Sequence, residues 1–121
     1  MLAFIKQHKL DAKWLQSGLY YSILQAGSGA KPTVNSVVNV SYTMSDLNGH
    51  QIWSTTQSDG KEIRSLNQFP AGVVEGLQLI QEGGRIQLIV PSALAYGSKG
   101  WGKQIVPNTN LFYDIQLNSI E

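Results

Sequence analysis

Residues 38 to 44 alternate without a break. Val38, Val40, Tyr42 and Met44 are apolar or aromatic, and Asn39, Ser41 and Thr43 between them are polar. A period of two sends alternate side chains to opposite faces of a strand, so one face packs and the other meets water. Asn48-Gly49 follows, a strong two-residue hairpin signal, and returns the chain into Gln51-Ile52-Trp53. A half-wet strand tied to its neighbour by a tight turn belongs to an antiparallel sheet rather than a parallel one buried on both faces.

The flanking segments extend that sheet. Residues 2–15 carry a weak helical pattern, with Leu2 and Ile5 three apart and Asp11 placed to cap a short turn through Trp14 and Leu15. Ser17-Gly18 breaks it. Residues 19–24, rich in Tyr and Ile, read as a strand ending at Gly27-Ser28-Gly29, and Asp59-Gly60 signals a turn before a short strand over 62–66. Pro70, Ala71 and Gly72 introduce a helix in which Val73, Leu77 and Ile80 form one apolar stripe, with Gly83-Gly84 as its stop. A strand over 85–90 puts Ile86, Leu88 and Val90 on one face, a loop covers 91–110, and a last strand runs over 111–120. The expected order is β-β-β-β-α-β-loop-β, an α+β domain over 17–121 behind a partly helical lead segment at 1–16.

Composition narrows the function by exclusion. The 121 residues suit one domain with a real core. A net charge of +1, with 14% charged residues and no Lys/Arg run, gives no footprint for nucleic acid. Absence of Cys removes thiol nucleophiles, disulfides and Cys-based zinc sites. His8 and His50 lie far apart with no acid-rich spacing around them, and none of the eight acids sits at catalytic spacing. No metal or cofactor is expected. No apolar run approaches the roughly 20 residues a membrane helix needs. Residues 1–9 are too short and interrupted for a signal peptide, so Met1 is either a native start or a boundary behind a removed segment.

The strand over 88–90 stops at Pro91 and runs into Leu94-Ala95-Tyr96-Gly97, with Ile105, Pro107-Asn108 and the final strand beyond. That order points to loops carrying an apolar pocket rather than acids, bases or nucleophiles. With Val38 to Thr43, Gly49, Gly72-Val73-Val74-Glu75-Gly76-Leu77, Glu82-Gly83-Gly84 and Leu111 to Leu117, the chain resembles the FKBP-type prolyl isomerases from about Ser17 to its end. The resemblance implies a half-barrel of about five antiparallel strands wrapped on one short helix. It also implies a pocket for a prolyl ring, and so a peptidyl-prolyl cis-trans isomerase acting on X-Pro bonds of peptides or unfolded chains.

Carried over residue by residue, the resemblance makes Tyr42 a wall of the pocket. It matches Val73 and Val74 to the pair before the helix, whose second backbone N–H binds the carbonyl after the proline. Tyr96 matches the tyrosine whose hydroxyl holds the ligand, Ile105 the loop isoleucine, and Tyr113 the aromatic of the last strand. Ile52-Trp53 stands where Phe-Asp is usual, which removes the pocket carboxylate, and Trp53 either plugs or re-lines the pocket. Leu77 stands at the expected indole floor, Met44 replaces a glycine, and Trp101 replaces a loop histidine and is expected to face a partner. Phe69-Pro70-Ala71-Gly72 reads as an insertion that leaves the match of Ile63 and Arg64 open. These changes imply reduced activity, with a catalytically idle peptide-binding module or chaperone as the alternative. Proline-containing peptides are the expected partners, and macrolide immunosuppressants are possible ligands. A monomer is expected. Ser17 to Tyr21 resembles the start of the domain in exported bacterial members, which favours the periplasm or an outer-membrane lipoprotein over the cytoplasm.

Overall fold

The computed structural model describes residues 13–55, 60–100 and 105–121. Its centre is β3 (Val37–Asp46), the strand whose alternation is plainest in the sequence. Val38, Val40, Tyr42 and Met44 are buried there, and the residues between them are not. β1 (Lys13–Trp14), β2 (Tyr20–Gln25), β4 (Gln51–Ser54), β5 (Glu62–Ser65), β6 (Arg85–Val90) and β7 (Leu111–Ile120) complete a seven-stranded antiparallel sheet. Its order is β1-β2-β6-β7-β3-β4, and β5 lies beside β4 on the same margin of β3. β5 pairs with the first half of β3 and β4 with the second. The two-residue β1 and this shared margin reconcile seven strands with the expected five or so.

The β3–β4 hairpin is closed by backbone and side chain together. Asp46 Oδ1 accepts from the N–H of Asn48 at 2.9 Å and of His50 at 3.0 Å. Gly49 turns the chain at φ +91°, a conformation glycine adopts without strain.

One α-helix is present among the described residues, α1 (Ala71–Leu77). It ends at Leu77, with Gln78 as C-cap, and so falls short of the expected stop at Gly83-Gly84. Ile80 continues the apolar stripe and is fully buried, but through a turn rather than a helix. The helix lies against β6 through Gly72 and Gly76. A Cβ on Gly72 would sit 2.5 Å from Val90 Cγ1, and one on Gly76 2.5 Å from Leu88 Cδ2. Absent side chains at two positions four apart let backbone and sheet approach on one helix face. Leu19, Val38, Leu66, Val73, Leu77, Ile86, Leu88 and Leu117 fill the space between helix and sheet.

The lead segment differs from expectation where it is described. Lys13 and Trp14 are extended, because their backbones pair with Tyr21 and Tyr20 of β2 instead of closing a helical turn. Leu15 is not helical either, its N–H donating to Leu19 O at 2.9 Å, and the reading over 2–12, Asp11 and His8 included, lies outside the described residues.

Candidate functional site

β5 inverts the pattern of a surface strand. Directly opposed residues of an antiparallel pair point to the same face. Glu62 opposes Val40 and Arg64 opposes Val38, both core residues, whereas Ile63 opposes the outward Asn39. Two charged side chains therefore point inward and an apolar one, 52% exposed, points out. Turning charges inward costs free energy unless they are paired. Glu62 Oε2 lies 3.1 Å from Arg64 Nη2 and accepts a hydrogen bond from the Tyr42 hydroxyl at 3.1 Å. The Arg64 guanidinium also lies over the Phe69 ring, 4.1 Å from its centroid. Phe69 meets Tyr42 edge-on at 6.0 Å.

These residues border a cavity of about 280 Å³ lined by Tyr42, Met44, Ile52, Trp53, Glu62, Arg64 and Tyr96. It opens between the β4–β5 margin of β3 and the loop after β6. Its size is just below the roughly 300–1,000 Å³ of drug-sized ligand sites, which suits one ring and its flanking atoms. Trp53 opposes Met44 on β4 and packs against the core, so it lines the cavity. Two donors in this wall have no hydrogen-bond partner among the described residues, Trp53 Nε1 and Arg64 Nε. A buried unpaired donor costs about 1–3 kcal/mol.

Tyr42 and Tyr113 hold their protons tightly. Burial, followed by the charge and hydrogen bond of Glu62, raises the Tyr42 pKa far above its ordinary value. Burial does the same for Tyr113, aided by Tyr96, Tyr42 and a hydrogen bond with Tyr96. Tyr42 is thus a fixed donor to Glu62. No group of three or more His, Cys, Asp or Glu that could hold a metal occurs among the described residues.

The structure brings Tyr42, Ile52, Trp53 and Tyr96 to one cavity, and the other described candidates do not line it. Val73, Leu77 and Ile105 are buried in the core, and none of them lines this cavity. Tyr113 is 1% exposed and stands behind Tyr42, ring centroids 6.1 Å apart. Trp101 lies outside the described residues. Val74 borders a shallower groove with Val34, Phe69 and Gln78.

The helix-side donor also requires correction. Val73 and Val74 lie inside α1, and their N–H groups donate to Pro70 O at 2.9 and 3.0 Å. The pair that precedes the helix is Phe69-Pro70, and proline has no N–H to offer. A carboxylate at the pocket, expected to be lost with Trp53 on β4, is present from Glu62 on β5. Sequence reasoning misses Glu62 and leaves Arg64 open as a match for a pocket aromatic, although the spacing of two between these charges is visible. What hid them was the apolar Ile63 between them, which suggests the opposite facing.

The sequence model of the FKBP-type peptidyl-prolyl cis-trans isomerase family matches residues 28–118. The chain belongs to that family. The FKBP-type chain is 37% identical over 120 residues to a probable FKBP-type peptidyl-prolyl cis-trans isomerase, FkpA, of Neisseria meningitidis, covering 98% of this chain and 44% of the relative. It is 38% identical over 108 residues to the outer membrane protein MIP of Legionella longbeachae, covering 88% of this chain and 46% of that protein. The crystal structure of FkpA from Escherichia coli superposes with a TM-score of 0.91 at 30% identity, over 99% of this chain and 56% of that one. The FKBP-type chain thus spans less than half the length of the two relatives.

Proposed function

We propose that this FKBP-type domain is a peptidyl-prolyl cis-trans isomerase acting on X-Pro bonds of peptides or unfolded chains. The observation that carries the reading is the largely apolar cavity bordered by Tyr42, Ile52, Trp53 and Tyr96, whose one carboxylate, Glu62, is held by Tyr42 and Arg64. The reaction needs neither a nucleophile nor a general base. Its barrier of about 18–20 kcal/mol comes from amide resonance, which is lost as the C–N bond twists. The planar amide is more charge-separated than the twisted one, so removal from water favours the twisted form. A cavity that binds the twisted amide better than either planar isomer lowers the barrier by that difference. Tyr42, Ile52, Trp53 and Tyr96 exclude water and hold the ring, while the Glu62–Arg64 pair fixes one wall. The reduced activity expected from the rebuilt wall is part of this reading.

A protease-coupled or NMR exchange assay on short X-Pro peptides tests it. A rate above the uncatalysed one that falls on Tyr96→Phe is expected, and no rate above background would sink it. Pro70, which removes a backbone donor, favours the second reading of a peptide-binding module without catalysis. In that case peptide binds and the exchange rate stays at background.

The partners belong to the same reading: proline-containing peptides, and macrolides if the cavity admits them. The domain acts as a monomer, which multi-angle light scattering of the purified protein would check. Residence outside the inner membrane is favoured by the Legionella relative, whose name places that protein in the outer membrane. Fractionation of cells expressing the full reading frame tests this, and recovery in the cytoplasm alone would overturn it.

A further inference from the structure

Two buried donors stand out among the residues that line this cavity. The Tyr42 hydroxyl, the Glu62 carboxylate and Arg64 Nη2 hold one another. Trp53 Nε1 and Arg64 Nε have no partner among the described residues. They come from β4 and β5, the two strands on one margin of β3, and both residues line the same space. Both atoms are donors only, so the groups that complete them are acceptors. Glu62 already balances the Arg64 charge, which favours neutral acceptors over anions. Extended peptide offers such acceptors as main-chain carbonyls. Meanwhile Pro70 offers no N–H and the N–H of Val74 is engaged within α1.

We infer that Trp53 Nε1–H and Arg64 Nε–H bind the main-chain carbonyl oxygens that flank the prolyl ring of the substrate. This rests on the isomerase reading above. Both atoms are buried in the empty state, and no hydrogen bond among the described residues holds the indole N–H, so its turning toward an arriving carbonyl would break none. The site is specific for an uncharged, extended chain rather than for a particular side chain before proline.

The test is a titration of ¹⁵N-labelled wild-type protein with a blocked Ala-Ala-Pro-Phe peptide. The three tryptophans give separate indole signals, and that of Trp53 is assigned by its loss in Trp53→Phe. The Trp53 indole proton is expected to move downfield on binding, and the Arg64 Nε proton to become protected from exchange. Trp53→Phe keeps the ring and Arg64→Lys keeps the charge. Each should lower kcat/KM about 3- to 10-fold, the split between KM and kcat depending on which variant loses the carbonyl of the twisting amide. If peptide is bound or turned over while the indole signal stays still and kcat/KM is unchanged in both variants, the inference is overturned and the isomerase reading stands. If peptide is neither bound nor turned over, both are overturned. Should Trp53→Phe fail to fold, the wild-type titration and Arg64→Lys still decide the matter.

Discussion

Glu62 carries two partners on one oxygen, and replacing it separates their effects. Glu62→Gln can still accept from Tyr42 but leaves the Arg64 cation without its counter-charge on the inner face. A stability loss of about 1–2 kcal/mol is expected in urea titration, between the values for exposed and buried ion pairs. Tyr113 gives a pH signature. Its proton is held more tightly in the folded chain than at the ordinary tyrosine value of 10.0. Above about pH 10 the unfolded chain loses this proton and the folded chain keeps it, so stability falls as pH rises. The slope is at most about 1.4 kcal/mol per pH unit for this group. From pH 7 to 9 neither state titrates there and the contribution is constant. Denaturant midpoints measured between pH 7 and 11 should show the fall, and Tyr113→Phe should make it shallower.

At the scale of elements, the contact of α1 with β6 is the most sensitive. Gly72→Ala raises helix propensity by up to about 1 kcal/mol but drives a Cβ onto Val90, whose branched side chain has little rotamer freedom. A net loss of about 1–3 kcal/mol is expected from overpacking, read as a lower denaturant midpoint with unchanged slope. The hairpin is the milder case. Asp46→Ala removes an acceptor from two backbone donors and should cost about 1 kcal/mol by the same measurement. These elements also differ in how readily the sequence discloses them. β3, β6 and β7 were legible because one face is buried and the period of two survives in the residues. The end of α1 was not, since Ile80 keeps the helical phase after the backbone has left the helix. β5 was legible as a strand over 62–66, but its facing was not: inward Glu62 and Arg64 reverse the polarity that a strand of this kind normally shows. The same reversal explains why Tyr42, Ile52, Trp53 and Tyr96 could be named for the cavity while its charged wall could not. Pro70 was legible as the helix start, but that Phe69-Pro70 is the pair preceding it was obscured by the repeated valines at 73 and 74, which imitate the expected pair.

For the whole molecule, the pairing of β3 with β7 sets the pace of folding. Val38 meets Ile120, so the middle of the sheet joins residues from distant parts of the chain. Such long-range pairing places folding in the millisecond-to-second range rather than microseconds. Stopped-flow tryptophan fluorescence on dilution from urea measures it, and a microsecond phase carrying the full amplitude would contradict the expectation. The strand order has another consequence. Chain preceding Lys13 joins the sheet at β1, and the cavity belongs to the β4–β5 margin at the opposite end of that order. Strands spaced roughly 4.8 Å apart separate these margins by four intervening strands. An upstream extension therefore enters the sheet at the margin opposite the cavity. The domain can be tethered to a surface or to another module without its mouth being turned toward the tether.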